Sequence, residues 1–132
     1  MTTRARITTQ GFEEYLERIV SAGMDVDAAA GEAVIAGGDV LLDGMTRRVP
    51  KDTHNLEEHL ARGEPKREQN FTYVWVGMRP GTDAETARYG NAQEYGTSSM
   101  PAQSYIRATR DQDSGKARKA MKRVFERWLK GR

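Results

Sequence analysis

The chain has 132 residues, 37% hydrophobic and 30% charged, with a formal net charge of +2, which suits one soluble domain with a modest core. It has no cysteine, which excludes disulfides and thiolate metal sites, and no apolar run approaches the roughly 20 residues that cross a bilayer. The charge is unevenly placed: residues 101–132 carry 10 Lys and Arg against 3 Asp and Glu, the rest 11 against 16. Such polarity suits a protein that stacks on neighbours or faces a charged partner, or simply a solvated helix face.

The first ten residues hold threonines and two arginines without periodicity and read as an arm or loop. Met1 to Arg6 lacks the apolar core of a signal peptide, so assembly in a cytoplasm is expected. Phe12, Tyr15, Leu16, Ile19 and Val20 then recur at helical spacing. Glu13, Glu14 and Glu17 favour that helix's N-terminal end through its dipole, and Gly23 is a stop. Asp25 or Asp27 caps a second, longer helix running to about Arg48, with Pro50 beyond its end. Its small residues, from Ala28 to Gly38, point to close backbone approach by a sheet or another helix; Gly37-Gly38 is also a place where the helix could split.

Residues 52–69 read as a turn at Thr53-His54-Asn55, a short turn or helix over 55–60, and a strand with its tip near Gly63-Glu64-Pro65-Lys66. Phe71 to Met78 is the clearest strand. Phe71, Tyr73 and Trp75 lie on one face, with Val74, Val76 and Met78 on the other. Two apolar faces imply a central strand, covered by the long helix on one side and by something else, such as a second subunit, on the other. Arg79 to Thr82 is a turn, and Asp83 to Arg88 a helical turn.

Tyr89-Gly90-Asn91-Ala92-Gln93-Glu94-Tyr95-Gly96-Thr97, closed by Ala102-Gln103-Ser104-Tyr105-Ile106-Arg107-Ala108, has the chemistry of a shaped connection. Gly90 and Gly96 permit backbone conformations closed to other residues, and Tyr89, Tyr95 and Tyr105 are side chains of the kind enriched at interfaces. From Ser114 onward Ala117, Ala120, Met121, Val124, Phe125, Trp128 and Leu129 form a helical stripe. Its cap is Asp111, Asp113 or Ser114, unless the helix starts near Ile106 and encloses Gly115.

These words resemble the tail-completion or head–tail joining proteins of long-tailed bacteriophages: a tyrosine, Glu94-Tyr95-Gly96-Thr97, then a glutamine–aromatic–aliphatic–arginine run at Gln103 to Ala108. A third signal in the family's order is Pro50-Lys51-Asp52-Thr53-His54-Asn55-Leu56. His54 stands where that family has glycine, and Ser104 and Ala108 where it has prolines. The resemblance covers about residue 11 to the C-terminus. It implies an α+β fold over 1–132, a small mainly antiparallel sheet packed against a long helix, with N-terminal and C-terminal amphipathic helices. It also implies an edge strand near 52–69 and a ring, hexameric in that family, at the virion neck. There the ring would join the tail to the DNA-filled head and meet other neck proteins and the tail-tube protein. Assembly residues would be Asp52, Thr53, Leu56, Tyr89, Glu94, Tyr95, Gly96, Thr97, Tyr105 and Arg107. They would either lock the loop to the core or touch the next subunit.

No catalytic set, cofactor or metal is expected. The serines lack the glycine setting of a nucleophile elbow, Gly37-Gly38 lacks a phosphate-loop spacing, and His54 and His59 have no evident third ligand. The C-terminal helix admits three readings. It is a structural helix, a salt-sensitive nucleic-acid module presenting Lys116, Lys119, Lys122, Arg123 and Arg127 to phosphates, or a membrane-lying helix. Its stripe spacing favours the first, so no membrane partner is expected; the alternative function is the nucleic-acid module.

Overall fold

The computed structural model describes residues 4–50, 56–99 and 101–130. Its sheet is built on β4 (Thr72–Met78), the strand that the alternating aromatic and β-branched residues mark out. Strand β1 (Arg4–Thr8) pairs antiparallel with it from Arg4↔Gly77 to Thr8↔Tyr73. On the other edge lie β2 (Leu60–Arg62), after a 3-10 turn at Leu56–His59, and the short β3 (Lys66–Arg67), both antiparallel to β4. Arg4 to Thr8 are therefore a strand, not an arm or loop. Ala5 and Ile7 alternate with Arg4, Arg6 and Thr8 and are buried under the helices; the period-two signal is too short to stand out without its partner strand.

Helix α1 (Glu13–Ser21) ends before Gly23, which has φ of 77°. Helix α2 (Val26–Arg48) is capped by Asp25, which accepts from the Ala28 N–H at 3.1 Å, and runs unbroken through Gly37-Gly38. Those glycines serve approach rather than bending. A Cβ on Gly37 would stand 2.8 Å from Ile7 Cδ1 and 3.0 Å from Met121 Cγ, and one on Gly38 2.8 Å from Val74 Cγ2. The α2 backbone is thus pressed against the sheet on one side and against α4 (Ile106–Lys130) on the other.

The sequence placed only a helical turn at 83–88 and a connection at 89–97. Instead α3 spans Ala84–Tyr95, capped by Asp83, which accepts from the Thr86 N–H at 3.0 Å. That N–H is the first cause of the lowered Asp83 pKa. Gly90 is thus helical, and only Gly96, at φ 78°, uses a backbone closed to other residues. Helix α4 starts at Ile106 and encloses Gly115, so Asp111, Asp113 and Ser114 are not its cap.

The core lies between the sheet and the helices: Ile7, Val34, Leu41, Met45, Val74, Val76, Met121 and Phe125 are all buried. Phe12 and Tyr15 close one end on Phe125, with ring centroids 5.3 and 5.8 Å away. Fully burying each of the larger side chains stabilises the fold by roughly 1.5–3 kcal/mol. The architecture is α+β, a small antiparallel sheet packed on a long helix. Among the described residues no helix is long and apolar enough to cross a membrane.

Candidate functional site

The start of α4 is an exposed-donor problem: the first N–H groups of a helix have no partner within it. Here they are met by a side chain 11 to 13 residues earlier in the chain. Glu94 Oε1 accepts from the backbone N–H of Tyr105 at 2.9 Å and Ile106 at 2.7 Å. Its Oε2 accepts from the Arg107 N–H at 2.9 Å and from Arg107 Nε at 3.1 Å. Glu94 is 1% exposed. A buried carboxylate is tolerated because all its acceptor sites face donors and the helix dipole favours negative charge there.

The same residues tie the two chain segments by backbone. The Gln103 N–H donates to the Gln93 carbonyl at 2.7 Å. The Glu94 carbonyl accepts from Ser104 Oγ at 2.8 Å and from Arg107 Nη2 at 2.7 Å. Ser104 thus supplies a side-chain hydrogen bond that proline at this position could not make. Tyr105 is fully buried, and its hydroxyl donates to the Gly90 carbonyl at 3.4 Å. Burial first, then the Glu94 charge, pushes the Tyr105 phenol well above its ordinary pKa, so it stays a neutral donor.

Gly90 is where Leu56, α3 and the start of α4 meet. A Cβ there would stand 3.1 Å from the Tyr105 hydroxyl and 3.3 Å from Leu56 Cδ2, and would also press on Met78. Leu56 is fully buried and Tyr89 half-buried against the core. Of the sequence-predicted set, then, Leu56, Tyr89, Glu94, Tyr105 and Arg107 come together with Gly90. Tyr95 is 53% exposed, with the Arg107 guanidinium 5.3 Å from its ring centroid. Thr97 lies outward beyond Gly96, its hydroxyl accepting from the Ser99 N–H at 3.3 Å. Asp52, Thr53 and His54 fall outside the described residues.

A second buried carboxylate went unforeseen. Asp113, offered by the sequence only as a helix cap, is 4% exposed. Its Oδ2 accepts from Arg48 Nη1 at 2.7 Å and from Arg47 Nη2 at 3.3 Å, and the same Arg48 nitrogen reaches Thr109 Oγ1 at 3.0 Å. The Arg48 hydrogen bond leads the causes that hold the Asp113 pKa below the usual carboxylate range. Gly44 makes the space: a Cβ there would collide with Asp113 Oδ2. The available signal was the pairing of Gly44-x-x-x-Arg48 with Thr109-x-x-x-Asp113, two faces that match only once the helices are known to touch.

Lys116, Lys119, Lys122, Arg123 and Arg127 are all exposed on α4. Arg127 pairs with Glu32 at 3.0 Å, and Trp128 Nε1 donates to the same carboxylate at 2.9 Å. Asp39 holds Arg62 at 2.6 Å, and Asp43 holds Arg47 at 3.0 Å. Of these pairs only Arg127–Glu32 joins the basic C-terminal segment to the acidic body, as Arg107–Glu94 does at the other end of α4; the other two lie within the body.

A concavity of about 470 Å³ shares no residue with the Glu94 cluster; Leu16, Val20, Val26, Ala30 and Phe71 give it an apolar lining, with Arg67 beside them. Among the described residues no group of three or more His, Cys, Asp and Glu is placed to hold a metal ion. A scan of protein-family models and searches of curated proteins and of solved structures find no match to this chain.

Proposed function

We propose that the chain is a non-enzymatic virion component, a ring-forming tail-completion protein that joins a phage tail to its DNA-filled head. The observation that carries this is the division of labour within the matched segments. Leu56, Gly90, Glu94 and Tyr105 are buried and clamp α3 to the start of α4, while Tyr95, Thr97 and Arg107 stay outward around residues 95–107. A loop pinned at both ends by buried hydrogen bonds presents its outer side chains in one geometry, which lowers the entropy lost when a neighbour docks. Tyr and Arg are also the side chains that carry most binding energy at interfaces. Ring contacts pair unlike patches on successive copies, and this loop is the patch proposed for one side of that contact.

The test is genetic and visual. Deleting the coding sequence from the phage or prophage that carries it leaves filled heads and separate tails under the electron microscope. Joined particles from the deletion would contradict the proposal.

A second reading, a nucleic-acid module on α4, has one observation in its favour. Lys116, Lys119, Arg123, Arg127 and Lys130 fall within an arc of roughly 80° at 3.6 residues per turn, all exposed. Duplex binding that weakens steeply with salt and is lost in Lys119→Glu/Arg123→Glu would favour it.

A further inference from the structure

The helices cover one face of the sheet; the register defines what stands on the other. Opposite Ala5, Ile7, Val74 and Val76, the outward positions are Arg4, Arg6 and Thr8 on β1, Tyr73, Trp75 and Gly77 on β4, Ala61 on β2 and Lys66 on β3. None is acidic. Tyr73 and Trp75 are only half-buried, and what lies over them is arginine. The Arg4 guanidinium sits 4.2 Å from the Trp75 ring centroid and that of Arg6 3.9 Å from the Tyr73 centroid. Phe71 extends the row, 6.1 Å from Tyr73. Gly63 keeps the neighbouring edge low, since a Cβ there would collide with the Trp75 indole.

The cationic surface continues past the edge of β1. Between that strand and α4 lies a cleft of about 290 Å³ lined by Arg6, Thr8, Gln10, Arg110, Ser114 and Arg118, again without a carboxylate in its lining. Arg6 belongs to both features, so the aromatic row and the arginine cleft are one continuous surface.

We propose that this surface binds single-stranded nucleic acid, bases taking the places that the Arg4 and Arg6 guanidinium groups hold over Trp75 and Tyr73 while the arginines turn to the phosphates, led past Arg6 into the cleft. Aromatic rings two residues apart on a strand stand about 7 Å apart, a spacing for unstacked, splayed bases rather than for a duplex. Every base has a π-face, so such a platform is sequence-tolerant, and arginine takes part by stacking as well as by charge. A polyanion that also carries π-faces matches both halves of the surface, the guanidinium groups and the rings; a second copy of the chain is the competing occupant that the test below separates. The proposal does not depend on the connector function, which rests on the 95–107 loop.

The chain has two tryptophans, so Trp128→Phe leaves Trp75 as the only indole reporter. Titrating that variant with short oligothymidylate, oligouridylate and a duplex of equal length reads the platform directly. Both single strands are expected to quench Trp75 emission more strongly than the duplex; their difference tells DNA from RNA. If three to five phosphates are neutralised, affinity falls about 20- to 100-fold between 50 and 200 mM salt. Tyr73→Ala weakens binding fivefold or more. Arg6→Ala, an exposed change that leaves the unfolding midpoint in place, weakens it as well. Three results would each overturn the proposal. One is no quenching at 50 mM salt. Another is binding that survives Tyr73→Ala and Arg6→Ala but is lost in Lys119→Glu/Arg123→Glu. The third is self-association that depends on Arg6 and Tyr73, which would make the face a contact between copies.

Discussion

Helix α4 is tied down at its two ends by glutamate–arginine pairs of almost equal length and very different worth. At the start, Glu94 meets Arg107 at 3.1 Å with the glutamate side chain 1% exposed. Near the end, Glu32 meets Arg127 at 3.0 Å with the side chains 48% and 64% exposed. Distance does not separate them; solvent does. At the exposed end, water already serves both ions and a pair contributes about 0–1 kcal/mol. At the buried end, the carboxylate also satisfies three backbone N–H groups that nothing else reaches, so its loss strands them. The buried end fixes the start of α4 against the end of α3, whereas the exposed end is replaceable.

Glu94→Ala should show the largest effect, about 3–5 kcal/mol of lost stability, because it leaves several buried donors unmet. Glu94→Gln keeps one acceptor oxygen but sets a donating NH2 against N–H donors in place of the other, and should fall between wild type and Glu94→Ala; urea unfolding followed by circular dichroism orders the three proteins. Asp113→Ala comes next, at about 3 kcal/mol, the low end for a broken buried pair because Arg48 is 20% exposed.

Asp113 also sets a pH signature. Its folded pKa is depressed, so its contribution is fully present above the ordinary carboxylate value of about 4 and is lost as pH falls through the folded value. Wild type should lose stability below about pH 4, and Asp113→Asn should be weaker at neutral pH but lose less on acidification. Gly38→Ala follows at about 1–3 kcal/mol, from pushing α2 off Val74 and Arg62. Arg127→Ala should shift stability by about 0.5 kcal/mol or less. An Arg127→Ala effect as large as that of Glu94→Ala would erase the contrast between the two ends.

The long elements were legible because their periods are self-contained. The stripes of α1, α2 and α4 and the alternation in β4 each repeat within one segment, and Asp25, Gly23 and Pro50 mark boundaries by local chemistry. What depended on distant partners was not. Strand β1 needs β4 beside it before Ala5 and Ile7 make sense. The Tyr89–Thr97 run read as a connection because of Gly90 and Gly96, yet Tyr89 to Tyr95 are helical. Packing on Leu56, Met78 and Tyr105 overrides that propensity, and Gly90 is the residue that allows the approach. Glu94 was singled out, but as a turn or contact residue; nothing in the sequence shows that its carboxylate reaches Tyr105, Ile106 and Arg107. The aromatic face was legible as a face. The arginines that lie over it became visible only with the register.

The proposed assembly role rests on the outward side chains around residues 95–107, and its most direct measurement is mass. If the proposal holds, light scattering on size-exclusion peaks, with wild-type protein alone and mixed with phage tails, gives a closed multiple of the 14.8 kDa chain in at least one condition. Tyr95→Ala should fail to reach that mass while melting like wild type. Wild-type protein that elutes as a monomer in both conditions, or a Tyr95→Ala chain that closes the same ring, would contradict it.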